Sequence, residues 1–133
     1  MNENFEKVKD YLLDLEYSII NEDAEEHVLV IENEETGINN VFMIITDEIL
    51  IIEQFLFEVK AKNKESVYRD LLVKNRDIIH GAFALNDEGD KVVFRDTLQI
   101  ENLDLNELEG TLKSLEMLLS EYSHKIIEFS AQN

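Results

Sequence analysis

Residues 67–129 read VYRDLLVKNRDIIHGAFALNDEGDKVVFRDTLQIENLDLNELEGTLKSLEMLLSEYSHKIIEF, and this stretch decides the fold. Its hydrophobic spacing predicts a helix, then a two-stranded hairpin, then a long helix. Gly81 ends the first helical pattern, and the acidic turn 87–90 joins hairpin strands expected at 81–86 and 91–100. We expect Gly89 to take the left-handed conformation in that turn, because glycine adopts positive φ without steric cost.

The first helix of this stretch is expected to span residues 64–79 and to carry one apolar face. That face consists of Val67, Tyr68, Leu71, Leu72, Ile78 and Ile79. Asn75 falls near its middle, and an unpaired buried amide costs about 1–3 kcal/mol, so Asn75 needs a hydrogen-bond partner. Backbone at the following turn is one candidate partner, and a ligand or a second subunit is the other.

The last helix has a clear start at Asp104, because Glu107 follows three residues later in capping-box spacing. Its apolar residues recur at spacings of three and four: Leu105, Leu108, Leu112, Leu115, Leu119, Tyr122, Ile126 and Phe129. This spacing suits a coiled coil or a long helix lying on a sheet. No clear charge pairing lies beside this apolar stripe, so we favour a helix lying on a sheet over a coiled coil. Gly110 within the helix indicates close approach to a neighbouring element.

The first half of the chain predicts a helix followed by a β-meander. The helix covers residues 3–15, with Phe5, Val8, Leu12 and Leu15 on one face. Strands are expected at 17–21, 27–33, 39–46 and 49–59, and the cluster 34–37 supplies a turn through Gly37.

The two central strands of this meander are apolar on both faces. Val41, Met43 and Ile45 alternate with Phe42 and Ile44, whereas Leu50, Ile52 and Leu56 alternate with Ile49, Ile51, Phe55 and Phe57. An antiparallel sheet with helices on one side should be polar on the other. Either one of the chain's own helices or a partner must therefore cover the second face.

These elements predict an α+β fold in a single domain, residues 1–133. An antiparallel β-sheet is combined with three helices, in the order helix, meander strands, helix, β-hairpin and long C-terminal helix. A chain of 133 residues is long enough to bury its own core without disulfides.

The formal charge of −18 argues against nucleic acid and anionic membranes as partners. Residues 1–60 hold 16 acids against 3 bases, but residues 60–76 reverse this sign with six bases against two acids. The bases are Lys60, Lys62, Lys64, Arg69, Lys74 and Arg76. This basic segment is either a solvated helix face or a docking surface for an acidic partner, including a second copy of the chain.

No catalytic or metal-binding pattern emerges, so we expect a protein that is not an enzyme, with no cofactor and no metal site. Cysteine is absent, and His27, His80 and His124 lie in different predicted elements. The serines lack a nucleophile-elbow context, and the acidic turn 87–90 does not fit a calcium loop. Apolar runs are too short to span a bilayer and residues 1–10 do not resemble a signal peptide, so we expect a cytoplasmic protein.

The order Leu71, Leu72, Asn75, Gly81, Phe83, Leu85, acidic turn, Leu98, Leu103, Asp104, Leu105 and long helix resembles the type III secretion chaperones. It is similar to the Tir chaperone (CesT-like) and YbjN families, over about half the chain. The resemblance implies a non-catalytic fold, often a homodimer, in which small acidic members bind unfolded client segments across apolar surfaces. YbjN-like members have a regulatory role of undefined activity.

We therefore expect a chaperone-like or adaptor module that covers an apolar segment of a partner protein. The alternative is a YbjN-like regulatory protein whose apolar face is buried by its own chain. Partner or dimer contacts are expected at Leu50, Ile52, Leu56, Val67, Leu71, Asn75 and Ile78. On this expectation, aspartate at Leu50 or Leu56 abolishes partner capture and leaves the fold intact.

Overall fold

The computed structural model describes residues 2–60 and 62–131. Its elements are α1 (Asn2–Asp14), β1 (Ser18–Asp23), β2 (Val28–Asn33), β3 (Ile38–Ile45), β4 (Ile49–Glu58), α2 (Lys64–Lys74), a 3₁₀ turn (Asn75–Asp77), β5 (Ala82–Leu85), β6 (Lys91–Gln99) and α3 (Leu105–Ala131). The predicted α+β class and the predicted order of elements are confirmed.

The six strands form one antiparallel sheet in the order β1-β2-β3-β4-β6-β5. The first four strands are a meander, as predicted, and β6 then pairs with β4 from Gln99 to Lys91. β1 and β5 are the two edge strands. Gly37 and Gly89 take φ of 84° and 74° in the turns that the sequence indicated.

One face of the sheet carries the core, and all three helices contribute to it. Leu108, Leu112 and Leu115 of α3 are fully buried there, and α1 contributes residues such as Val8 and Leu12. The prediction that α3 lies on the sheet is confirmed; the side chain of Phe129, the last residue of its pattern, lies outside the described part. Asp104 caps the helix, since its Oδ1 accepts from the Glu107 N–H at 2.8 Å.

A polar pair within this core ties α3 to β6. Asp96 interrupts the apolar face of β6, and Thr111 is completely buried on the facing side of α3. The Thr111 hydroxyl donates to Asp96 Oδ2 at 2.7 Å, and the Thr97 N–H donates to Asp96 Oδ1 at 2.9 Å. Both polar groups are therefore satisfied, as buried polar groups must be.

A β-bulge in β4 corrects one predicted face. The register with β6 shifts between Phe55 and Phe57, so β4 contains one extra residue there that has no partner in β6. Strict alternation predicts that Phe57 points to the face of the sheet opposite to that of Leu50. Because the bulge inserts one residue, Phe57 turns to the core at 3% exposure and Leu56 is only partly buried.

The second helix is shorter than predicted, because it ends at Lys74 rather than at residue 79. Asn75 starts the 3₁₀ turn, and its side-chain amide forms hydrogen bonds with the edge strand β5. Asn75 Oδ1 accepts from the Phe83 N–H at 2.8 Å, and its Nδ2 donates to the Phe83 carbonyl at 3.3 Å. The amide thus occupies outward-facing backbone groups that an edge strand would offer to another chain.

Candidate functional site

The face of the sheet opposite the core is apolar and open to solvent. We call it the open sheet face and define it by Phe42, Ile44, Ile51, Phe55 and Val93. Phe42 and Phe55 are 45% and 54% exposed, and the other three are half-buried. No residue of this set belongs to the core cluster. Two exposed phenylalanines on neighbouring strands form the kind of apolar patch that marks an interaction site.

Strand pairing makes these side chains contiguous. Ile44 lies opposite Ile51, and Phe55 lies opposite Val93. Residues directly opposite in an antiparallel pair have Cβ atoms about 4.5–5.5 Å apart, so the apolar surface continues across three strands.

One ion pair crosses the open sheet face. Phe42 lies opposite Glu53, which in turn lies opposite Arg95. Glu53 Oε1 is 3.3 Å from Arg95 Nη1, with both side chains partly exposed. Such a pair contributes little to stability, because its charges stay largely hydrated.

The structure tests one of the two alternatives for this second face, namely that a helix of the same chain covers it. Among the described residues, every helix contributes its buried side chains to the core cluster on the other side, so no described helix covers the open sheet face. The alternative that the chain's own helix covers it is therefore wrong for this part of the molecule. Coverage by a partner stays a prediction.

Most of the predicted contact residues lie in the core. Leu50 and Ile52 are completely buried, and Val67 and Leu71 are nearly so. Because side chains alternate along a strand, the accessible residues of β4 are the neighbours of those predicted, such as Ile51 and Phe55. The expectation that these four side chains offer a contact surface is corrected in this way. Leu56 is partly buried against the core, as the bulge requires.

The other two predicted contact residues, Asn75 and Ile78, lie apart from the open sheet face, and Ile78 is partly buried against the core. Asn75 is held by backbone, which was one of its two candidate partners, but this backbone is that of Phe83 in strand β5 rather than that of the following turn. Ile78 lines a cleft of about 180 Å³ between α3 and the loop after the 3₁₀ turn.

That cleft is the second apolar feature of the surface, and we call it the Ile78 cleft. Ile78, Met117, Leu118 and Tyr122 supply much of its lining, and Ile79 at its rim is 79% exposed. The loop is fixed to α3, since Ser114 Oγ donates to the His80 carbonyl at 2.7 Å. Close approach at Gly110 is confirmed, because a Cβ there would lie 3.3 Å from His80 Nε2.

The ionisable side chains of the described residues form structural contacts rather than a metal site. Among these residues, no group of three His, Asp or Glu side chains lies close enough to hold a metal ion. Burial, followed by a hydrogen bond to Glu116, raises the pKa of the Tyr17 phenol. Tyr17 donates to Glu116 Oε2 at 2.6 Å and so joins the start of β1 to α3. None of the described helices is both long enough and apolar enough to cross a membrane.

The chain belongs to the CesT_Tir_1 family, whose model matches residues 1–132. The resemblance to the Tir chaperone and YbjN families is thereby confirmed. No curated protein sequence matches the chain.

Three solved structures share the fold at low sequence identity. YbjN from E. coli superposes with a TM-score of 0.64 at 15% identity, covering 90% of this chain and 91% of that one. A chain of the HopA1–SchA chaperone–effector complex gives 0.67 at 13% identity, over 92% and 95%. The Yersinia pestis type III secretion chaperone SycH, in complex with a fragment of YscM2, gives 0.60 at 17%, over 96% and 99%.

Proposed function

We propose that this protein is a cytoplasmic, non-enzymatic binding module that holds an apolar segment of a partner protein on its open sheet face. The observation that carries the proposal is the half-exposure of Phe42 and Phe55 on a face that no described helix covers. Membership of a family that includes secretion chaperones supports it, as do fold neighbours solved with bound effectors. The function rests on shape and apolar surface rather than on reacting groups.

The open sheet face suits an extended or helical segment carrying two or more large apolar residues. Burying one such side chain contributes about 1.5–3 kcal/mol. Two contacts, at Phe42 and Phe55, would therefore supply a useful fraction of the roughly 8 kcal/mol that a micromolar complex requires. Ordering the bound segment opposes this gain, so we expect micromolar rather than nanomolar affinity.

Replacing both phenylalanines by serine is expected to weaken binding at least tenfold. The probe is a reduced and alkylated, permanently unfolded protein with a fluorescent label, and the readout is anisotropy during titration. The expected loss follows from the removal of two aromatic contacts, since aromatic anchors dominate binding surfaces. Thermal unfolding of F42S/F55S should stay close to wild type, because neither side chain is part of the core.

A matched control compares two single variants of similar exposure. Phe55 is 54% exposed on the open sheet face, whereas Leu13 is 51% exposed on α1, a helix of the core side. We expect F55S to weaken binding severalfold and L13S to leave it unchanged. Equal effects of F55S and L13S would show nonspecific attraction to apolar surface and would contradict the proposal.

We further propose that two copies form a homodimer through the Ile78 cleft. The support is the highly exposed Ile79 beside a cleft whose lining includes the apolar side chains of Ile78, Met117 and Leu118. In a two-fold interface the same surface is used by both copies, so each Ile79 could enter the cleft of its partner. This arrangement leaves the open sheet face free.

Light scattering across a wide dilution range tests the dimer. We expect a molar mass of about twice 15.5 kDa for the wild type, and about 15.5 kDa for I79D, because the substitution removes the apolar contact of Ile79 and brings a carboxylate against apolar side chains of the cleft. L13D adds the same charge at another exposed position and should remain dimeric. A dimer that survives I79D but dissociates in F42S/F55S would place the contact between copies on the open sheet face instead.

The fold likeness to YbjN, whose solved structure is described as a putative transcription regulator, favours a second candidate, a regulatory protein that binds no apolar client on the open sheet face. The unfolded-protein titration separates the two candidates. Wild-type protein that fails to bind the probe, with F42S/F55S unchanged in solubility and mass, would support the second.

A further inference from the structure

The open sheet face continues at one end into a depression of about 310 Å³, which we call the acidic depression. Its lining consists of Asp47, Glu48, Ile49, Gln99 and Glu101. Ile49 lies two residues before Ile51 on β4, so both side chains point to the same face of the sheet, and Gln99 lies opposite Ile49 on β6. A segment that contacts Ile51 on the open sheet face can therefore continue directly into the acidic depression.

Hydrogen bonds hold the β3–β4 turn, which carries two of the three carboxylates. Thr46 Oγ1 accepts from the Glu48 N–H at 3.2 Å and from the Ile49 N–H at 2.9 Å. The Ile100 N–H donates to the Glu48 carbonyl at 3.0 Å, which brings Glu101 beside the turn. The backbone positions of all three acids are therefore set before a partner binds, and a preformed surface loses less entropy on binding than a mobile one.

The charges of the acidic depression are not neutralised by the surrounding chain. Asp47, Glu48 and Glu101 are exposed, and in the part of the chain that the structure describes none of them forms an ion pair. Strand pairing places loops 23–28, 46–49 and 99–104 at this end of the sheet, and they contain seven acids and neither lysine nor arginine. The apolar face therefore has a strongly negative end.

Lysine or arginine side chains suit this negative end better than a metal ion does. A metal ion needs several oxygen ligands around one point, and no three His, Asp or Glu side chains within residues 2–60 and 62–131 lie close enough to share one. Ammonium and guanidinium groups on long side chains can instead approach separate carboxylates. Each exposed pair contributes little affinity, so such contacts act mainly on the choice of partner and on the rate of association.

We propose that the segment bound on the open sheet face comes from a different protein, is apolar along β3 and β4, and carries lysine or arginine residues at one end that enter the acidic depression. Charge complementarity between a basic end and Asp47, Glu48 and Glu101 carries this assignment. It rests on the proposed function and adds the class of segment that is accepted. Contacts with Phe42 and Phe55 supply the affinity, whereas the carboxylates favour basic apolar segments and repel acidic ones.

A second copy of this chain fits the acidic depression less well than a separate basic segment. The bases Lys60, Lys62 and Lys64 follow the far end of β4, away from Asp47 and Glu48. A copy that placed these bases in the depression of its neighbour would make a head-to-tail contact, which builds rings or open chains rather than a two-fold dimer. Two whole copies with net charge −18 each also repel one another at long range.

The test uses isotope-labelled full-length protein and three synthetic peptides that share one apolar sequence and end in two lysines, two serines or two glutamates. We expect the lysine and serine peptides to shift the amide resonances of Ile51 and Phe55, and only the lysine peptide to shift those of Asp47, Glu48 and Glu101. The lysine peptide should bind about fivefold more tightly than the serine peptide, and the glutamate peptide most weakly. At 1 M salt, where charges are screened within about 3 Å, this preference should disappear.

Two triple variants with the same change in net charge complete the test. D47N/E48Q/E101Q removes the charges of the acidic depression, and we expect its affinity for the lysine peptide to fall about fivefold, to that of the serine peptide. E34Q/D87N/E88Q removes one aspartate and two glutamates from exposed turns at the other end of the sheet, and should keep the preference for lysine within about twofold. Thermal unfolding of both variants should stay near wild type, because all six side chains are exposed.

The outcomes distinguish failure of this inference from failure of the proposed function. Equal affinities for the lysine and serine peptides, or equal loss of the preference in both triple variants, would overturn the inference and leave apolar binding on the sheet intact. Absence of shifts at Ile51 and Phe55 with every peptide would overturn the proposed function and this inference with it. Dissociation of copies in D47N/E48Q/E101Q, with unchanged affinity for the lysine peptide, would assign the depression to a second copy and overturn the inference too.

Discussion

Replacing Leu50 by aspartate is expected to unfold the protein. Leu50 is completely buried in the core cluster, where it faces α3 and the neighbouring strands. Removing a buried leucine side chain typically costs about 2–5 kcal/mol, and the new carboxylate must be buried without a partner, at a further cost of several kcal/mol. The sum approaches the whole stability of an ordinary domain, about 5–15 kcal/mol.

Ile51 provides the matched control on the same strand. It points to the open sheet face and is only half-buried, so a carboxylate there keeps contact with water. We expect I51D to fold, with a loss of about 1–2 kcal/mol, and L50D to lack cooperative thermal unfolding by circular dichroism. A folded L50D with an unfolded I51D would mean that the register of β4 is shifted by one residue, which exchanges the two faces.

Alanine at Gly81 is expected to lower the unfolding temperature by about 10 °C or more. Gly81 has φ of 82°, which alanine tolerates poorly, and its Cβ would overlap the ring of Phe94 and lie 3.1 Å from the Arg95 carbonyl oxygen. Phe94 is itself completely buried, so the ring has little room to move. Strain at positive φ and overpacking together cost about 2–4 kcal/mol.

Gly37 separates these two contributions. Its φ of 84° is nearly the same, but a Cβ there would meet only Leu119 Cδ1 at 3.8 Å, an ordinary contact. G37A should therefore lose about 1 kcal/mol from backbone strain alone. Calorimetry of both variants checks this difference. Equal losses in G81A and G37A would contradict the close packing of Gly81 against Phe94.

The sequence predicted the elements well because their signals are local. The cap at Asp104, the turn glycines Gly37 and Gly89, and the alternation in β6 each act over a few residues, and the structure has all of them. The need for a partner at Asn75 was also visible from its place on an apolar face. The early end of α2 was not, because it depends on an edge strand eight residues further along the chain.

The face of β4 that carries the site could not be chosen from the sequence. Residues 49–57 are apolar on both sides, so alternation alone does not distinguish Leu50 from Ile51. A signal existed in β6, whose outer residues Arg95 and Thr97 are polar. However, this signal identifies Ile51 as outward-facing only once the pairing of Ile51 with Thr97 is known. The bulge after Phe55, which turns the Phe57 side chain to the core face of the sheet, also depends on that pairing.

Site-specific photo-crosslinking is the most direct test of the central claim, that an apolar partner segment lies on the open sheet face. A photoreactive phenylalanine analogue would replace Phe55 in one variant and Leu13 in another, in the cell that naturally makes the protein. We expect discrete crosslinked products from the Phe55 position that map by mass spectrometry to an apolar segment of another protein, and none from Leu13. Crosslinks at Phe55 that map only to this protein's own sequence would contradict the account, because the face would then be covered by its own chain or by a second copy.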